Sequence, residues 1–371
     1  MVARAGNPTN GGCVSRDVGT FGRRPLALLI GTAILSASGC GAGDSRPSSG
    51  PPLTPPTTAT SPQTHRVGAP TTLPWWSAGR LRLGGRTIPT PLHEIVSRGG
   101  TTLVGRTTQH RSTWRLVRGT RLVTLISTRE PYVEPVVSAN GRHLAWVRSH
   151  AIRPFDRYTT EVVFTVHAYD VARGRQVGTT SVESRVRCCD AGGVYEVAGV
   201  DNDGTVLLDR LYTSLLVWRP GQVSVRATGA LHPRAVTGND QWPGGVSWLA
   251  TEDGAGPAAF GATDAAGVTV RVGRVPQGPG GLWGPDGTAY VYQPYTKAPD
   301  GPPPAVVWRD GRRVRLHAPS RASVVGWESA RSVILSAGRR STVLIRCEAS
   351  TGRCEQAGAP LRHPVLPTRE G

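Results

Sequence analysis

Six cysteines, nine histidines and no assembled catalytic motif set the chemistry this chain can carry. Cys347 and Cys354 flank the turn segment Glu348–Arg353, so they face each other across a hairpin and suit a small-loop disulfide. In the chain-entropy view such a bond stabilises by roughly 2–3 kcal/mol. Cys188 and Cys189 are adjacent. Consecutive Cα atoms lie about 3.8 Å apart, below the usual disulfide range, so a bond between them is strained. Either that vicinal bond forms as a rigid corner, the preferred reading, or each cysteine pairs elsewhere. No two histidines stand at ligand spacing on one element, so no metal site is expected. A Gly-x-Ser-x-Gly elbow, a His-Glu-x-x-His pair and a phosphate loop are all missing. The sequence therefore names no catalytic residue and calls for no cofactor.

Disulfides need an oxidising compartment, and the N-terminus supplies the route. Arg23-Arg24 precede the apolar run Leu26–Leu35, which is too short to span a bilayer permanently. The small residues Ala37-Ser38-Gly39 then lead directly into Cys40. This arrangement resembles the bacterial lipoprotein signal, with Ala37 where that motif prefers Leu. The resemblance implies that residues 1–39 are a signal peptide, that Cys40 carries the lipid, and that the mature chain is membrane-anchored on the extracytoplasmic side. Cys13 leaves with the signal, so four cysteines remain. Residues 40–74 hold the lipidated Cys40 and a Pro/Ser/Thr-rich stretch that cannot bury a core and reads as a disordered tether.

The net charge is +18, but the basic residues are scattered, and Lys297 is the only lysine. Such a distribution argues against nucleic acid and for a basic surface suited to anionic envelope polymers, an envelope protein or lipid headgroups.

The elements that position any site recur. Pro135–Val147 reads as an apolar run, an Asn140-Gly141 turn and a second alternating run, which is a hairpin signal. Val200–Leu208, Trp283–Tyr292 and Val325–Leu335 repeat it, and a second hairpin recurs at Trp114–Leu122, Ala168–Val177, Val217–Val223, Val307–Val314 and Ile345–Gln356. Six units follow, at 92–126, 134–184, 195–230, 244–276, 280–319 and 322–361. Four-stranded units of this length predict an all-β fold, a β-propeller of six antiparallel blades with seven as the alternative. The leftover hairpin at Trp75–Pro89 closes the ring or contributes to the seventh blade. The propeller spans 75–364 and a disordered tail 365–371. Ser138-Ala139-Asn140-Gly141-Arg142-His143-Leu144-Ala145-Trp146 resembles the hairpins of TolB-like and WD-repeat-like propellers, and with the signal the chain resembles actinobacterial-type propeller lipoproteins.

In such a ring the b–c and d–a connections open on one face. Arg148–Thr160 and Gln293–Pro304 read as b–c loops, Arg185–Gly193 and Gly238–Gly245 as d–a loops, so all four are expected together. Phe155, Asp156, Arg157, Tyr158, Trp242, Tyr295 and Lys297 would then line one binding face, since long loops on a rigid scaffold carry function. The expected role is non-catalytic binding or scaffolding; the alternative is an extracytoplasmic hydrolase or lyase acting on cell-wall or extracellular glycans.

Overall fold

In a computed structural model the described residues run from Arg66 to Pro367, apart from 92–93, 109, 131–132, 157–158, 188–193, 210–214, 224–225, 228–234, 238–241, 244, 252–257, 265, 267, 276–280, 295–302, 320 and 339–340. They are all β, with no helix. Six complete blades form from consecutive strands. Blade 1 comprises Glu94–Arg98, Thr101–Thr108, Arg111–Arg118 and Arg121–Thr128. Blade 2 comprises Val136–Val137, His143–Pro154, Thr159–Asp170 and Arg175–Arg187. Blade 3 uses Glu196–Val200, Val206–Asp209, Leu215–Trp218 and Arg226–Ala227; blade 4 uses Ala235–Thr237, Gly245–Thr251, Ala258–Asp264 and Thr269–Val275. Blade 5 runs Leu282–Trp283, Ala289–Tyr292, Val306–Arg309, Arg312–Arg315, and blade 6 Ser323–Ser329, Ser332–Ala337, Val343–Glu348, Cys354–Ala357. The first strands of blades 1, 2 and 3 touch the first or second strand of a neighbouring blade, which places them nearest the axis.

The leftover hairpin belongs to a closing sheet, Trp75–Ser77, Arg80–Leu83 and Arg86–Pro89. Its inner edge is completed by the other end of the chain: Trp76 and Val365 exchange backbone hydrogen bonds of 2.9 and 2.7 Å. Among the described residues the fold is a six-bladed β-propeller, six complete blades with the three-stranded closing sheet beside them. Val67–Gly68 adds a parallel fifth strand to blade 6. Both Val365 and Val67–Gly68 lie outside the predicted 75–364 span: Val365 completes the closing sheet and Val67–Gly68 covers the outer edge of blade 6, which leaves fewer exposed edges.

Apolar side chains alternate along the strands and meet between sheets. Leu81, Ile88, Ile95 and Val104 join the closing sheet to blade 1, Trp114, Leu116, Leu144 and Trp146 join blades 1 and 2, and Val166, Val206, Leu208 and Trp218 join blades 2 and 3. Phe260, Trp283 and Tyr290 join blades 4 and 5. Val307, Leu335 and Ile345 join blades 5 and 6. Leu73 and Leu366 then pack on Val325 and Ile334, which returns the ring to its start. Each fully buried aliphatic side chain contributes about 1.5–3 kcal/mol.

The organising turn differs from its prediction. Only Gly141, at φ 70°, has the left-handed conformation; Asn140 does not. Gly141 N–H donates to the Ser138 carbonyl at 2.9 Å, the signature of a type I turn followed by a left-handed glycine. Gly204 and Gly287 repeat it on Asp201 and Gly284. Asn140 braces its own turn and also links blades: its Oδ1 accepts from the Ser138 hydroxyl at 2.8 Å and the Arg142 N–H at 3.0 Å, while its backbone N–H donates to Asn202 Oδ1 at 2.9 Å and its side-chain amide to the Asn202 carbonyl at 3.0 Å. The structure joins Cys347 to Cys354 across the last hairpin of blade 6, where the two residues stand directly opposite.

Candidate functional site

Blade 2 is built differently from the others. Its second, third and fourth strands run 12, 12 and 13 residues, whereas its first has 2 and pairs only with Leu144 and Ala145. The excess length lies on the face where b–c connections open, so a three-stranded ribbon rises there. Arg148–Thr160, expected as a loop, is therefore mostly strand, with pairing that continues to Pro154 opposite Thr160. A register shift at Ala151/Arg153 bends it near the tip.

The ribbon is braced on both faces. Val162, Phe164 and Val186 bury one face against Tyr195 and Leu216 of blade 3, with the Phe164 and Tyr195 rings edge-on at 5.4 Å. On the other face Trp146 and His167 stack at 5.1 Å. Burial pushes the His167 imidazole below its ordinary value, so the ring sits there neutral. Beside it Arg148 reaches blade 1, donating to Glu130 Oε1 at 2.7 Å and to Thr128.

At the tip three charged side chains order one aromatic. Glu161 accepts from Arg153 Nε at 2.7 Å and pairs with Arg185 at 3.7 Å. The Arg185 guanidinium carbon lies 3.7 Å from the Phe155 ring centre, a cation–π contact. The hydrogen bond from Arg153 holds the Glu161 carboxyl below the usual carboxylate range. It remains an acceptor and is ill suited to act as an acid. Both guanidiniums stay open to solvent, at 70% and 60% exposure, and Ile152 and Phe155 are half exposed beside them. The result is a preorganised cationic and apolar knob.

Of the predicted face residues, Phe155 and Asp156 are at this tip, where both backbone N–H groups donate to the Thr159 carbonyl. Arg157, Tyr158, Tyr295 and Lys297 lie outside the described residues, as do Cys40, Cys188 and Cys189. Trp242 is a correction. The first strand of blade 4 is Ala235–Thr237 and the second Gly245–Thr251, so Trp242 sits in an a–b connection, at the opposite end of the ring. Its indole Nε1 donates to the Gly287 carbonyl at 3.2 Å, in the a–b turn of blade 5. It anchors neighbouring turns and does not share a face with Phe155. Conversely, Arg153, Glu161 and Arg185 complete the tip. They stand on three different strands, His143–Pro154, Thr159–Asp170 and Arg175–Arg187. Among the described residues no group of three His, Cys, Asp or Glu side chains is placed to hold a metal ion.

No protein-family model and no curated protein matches the chain. Solved structures are similar in fold. An acylaminoacyl peptidase matches 76% of this chain at 8% identity and TM-score 0.50, and this chain spans 47% of it, about half its length. TolB from Acinetobacter baumannii matches 73% of this chain and 64% of its own at 12% identity and TM-score 0.36. A chain of the mitotic checkpoint complex matches 73% and 80% at 12% identity and TM-score 0.44. At these identities the likeness concerns architecture alone.

Proposed function

We propose that this protein is a lipid-anchored extracytoplasmic binding module, tethered through Cys40, whose blade 2 ribbon holds an anionic envelope polymer without chemistry. The observation that carries the reading is the braced ribbon, whose tip presents two exposed guanidiniums and the half-exposed Phe155 ring as one rigid unit. Arginine and aromatic side chains in fixed positions are the usual anchors of interfaces. Glycan hydrolysis or elimination would need a paired acid and base, and the tip offers Glu161 only as the ion-pair partner of two arginines.

The anchor has its own test. Expressed with a labelled fatty acid in a bacterial host, the wild-type chain should take up label and sediment with membranes, while Cys40→Ala should do neither. An unlabelled, soluble wild type sinks this half of the proposal. For the knob, Arg185→Gln with Phe155→Ala should weaken retention on a phosphodiester- or uronate-bearing wall polymer about tenfold, a loss of about 1.4 kcal/mol. Retention should also fall as salt passes about 0.15 M, where screening acts within about 8 Å. Arg312→Gln with Arg313→Gln, at the start of the fourth strand of blade 5, is the control. Equal retention of both variants would remove the ribbon from the binding surface.

A further inference from the structure

The opposite face carries a second feature, a cavity of about 530 Å³ between blades 2 and 3. Two tight turns and the end of a third build it. Asp170, Arg173 and Arg175 come from the c–d turn of blade 2, Asp203 from the a–b turn of blade 3, and Arg219 from the c–d turn of blade 3. His143, which opens the second strand of blade 2, lines the wall. It lies against Gly204, where a Cβ would stand 3.0 Å from its Nδ1, a tight contact.

Each carboxylate is fixed by its own turn. Asp170 Oδ1 accepts from the Arg173 backbone N–H at 2.8 Å, and Asp203 Oδ1 from the Thr205 N–H at 2.8 Å. The backbone N–H of Arg173 holds Asp170 below the usual carboxylate range. The second oxygens face Arg173 Nε at 3.5 Å and Arg219 Nη2 at 3.6 Å. Those are ion-pair separations beyond the hydrogen-bond mode, so the guanidinium donors are oriented without being consumed. Arg175 has no side-chain partner among the described residues and is exposed at the same mouth. Three guanidiniums against two carboxylates leave the cavity lining cationic, with donors and acceptors both present in it.

We propose that this cavity is a binding site for a small polyhydroxylated anion, a sugar acid or a sugar phosphate. Its size falls within the 300–1,000 Å³ of ligand sites, but its wall is polar where most are apolar, so the ligand must be polar throughout. The guanidiniums suit an oxyanion, with the planar fork matching carboxylate or phosphate. The ionised Asp170 and Asp203 suit the hydroxyl donors of the same ligand, which a bare oxyanion lacks. The site lies at the turn face and does not depend on the ribbon.

Calorimetric titration of the intact mature chain tests it with four probes: glucuronate, glucose 6-phosphate, glucose and inorganic phosphate. At least one anionic sugar should bind with a Kd of about 1 mM or below, and which one is tighter separates the carboxylate from the phosphate source. Glucose and inorganic phosphate should each be at least tenfold weaker. Arg219→Gln and Asp203→Asn, both at exposed side chains, should weaken the anionic sugar about tenfold with an unchanged melting temperature, while Arg312→Gln should not. No saturable heat with any probe overturns the site. Inorganic phosphate binding as tightly as the sugars overturns the sugar assignment, and unaltered binding in Arg219→Gln overturns the location.

Discussion

Arg346→Ala should cost the protein about 3 kcal/mol, the scale of breaking one side of a buried ion pair. Arg346 is the hub of the N-terminal seam. Its guanidinium donates to Glu328 through Nε at 2.5 Å and Nη2 at 3.1 Å, and to Glu355 through Nη1 at 3.0 Å. It also donates to the Ala69 and Pro70 carbonyls, both at 3.2 Å. Glu328, 7% exposed, accepts in turn from the Thr71 hydroxyl at 2.9 Å and the Thr72 N–H at 2.6 Å. The seam therefore straps residues 69–72 across blade 6, next to where Val67–Gly68 adds its strand.

Burial alone would raise the Glu328 pKa, but hydrogen bonds from Arg346, Thr72 and Thr71 outweigh it and hold the carboxyl below its ordinary value. A carboxylate lowered in this way stabilises above its unfolded pKa, near 4.3, and the benefit disappears as pH falls through the folded value. Removing Arg346 reverses the direction, because burial then dominates. The deficit of Arg346→Ala measured by urea unfolding should accordingly be largest near pH 7 and shrink below about pH 5. Arg346→Met combined with Glu328→Gln keeps an acceptor for Thr71 and Thr72 and removes the buried charge, and it should recover at least half of the loss. Hydrogen exchange at Thr72 and Gln356, whose N–H donates to the Arg66 carbonyl at 2.9 Å, should accelerate in the single variant. A single variant within about 0.5 kcal/mol of wild type at pH 7 would show that the strap is a surface contact of the usual small worth.

What the sequence made legible follows from the range of the forces involved. Strand alternation and left-handed glycines are local, so the hairpins around Gly141, Gly204 and Gly287 declare themselves. So does the cross-strand pair Cys347 and Cys354, set by a turn within one hairpin. The strap is the opposite case: Thr71 and Glu328 stand 257 positions apart, and nothing near either one announces the other. Blade 4 was misjudged for a different reason. Its first strand, Ala235–Thr237, is three residues long and too short to show alternation, so Trp242 reads as a junction between units. The ribbon was hidden by its own bend. Pro154 and the register shift at Ala151/Arg153 interrupt the alternating pattern, and an interrupted strand looks like a loop.

That misjudged junction adjoins the largest packing effect expected in the ring, at Phe260. The side chain is fully buried on the third strand of blade 4 and holds blade 5 by its rings. It stacks on Tyr290 at 4.2 Å between centroids, meets Trp308 edge-on at 5.1 Å and tilts against Trp283 at 5.6 Å. Phe260→Ala should therefore destabilise by about 4 kcal/mol, the cavity-forming range for a buried phenylalanine. Each lost ring pair adds about 0.5–1.5 kcal/mol beyond area alone. Gly273 decides whether packing is the cause. It pairs with Phe260 on the neighbouring strand, and a Cβ built there would lie 2.3 Å from the ring. Its backbone φ is not in the left-handed region, so only the ring forbids a side chain. Gly273→Val should be destabilising in the wild type, by about 1–3 kcal/mol for overpacking. In Phe260→Ala the same change fills the vacated space and should be neutral or stabilising. A double-mutant cycle read by urea unfolding should thus return a coupling of 1 kcal/mol or more, the range for residues in contact. Additive losses would mean that the Phe260 ring is not what excludes a side chain at position 273.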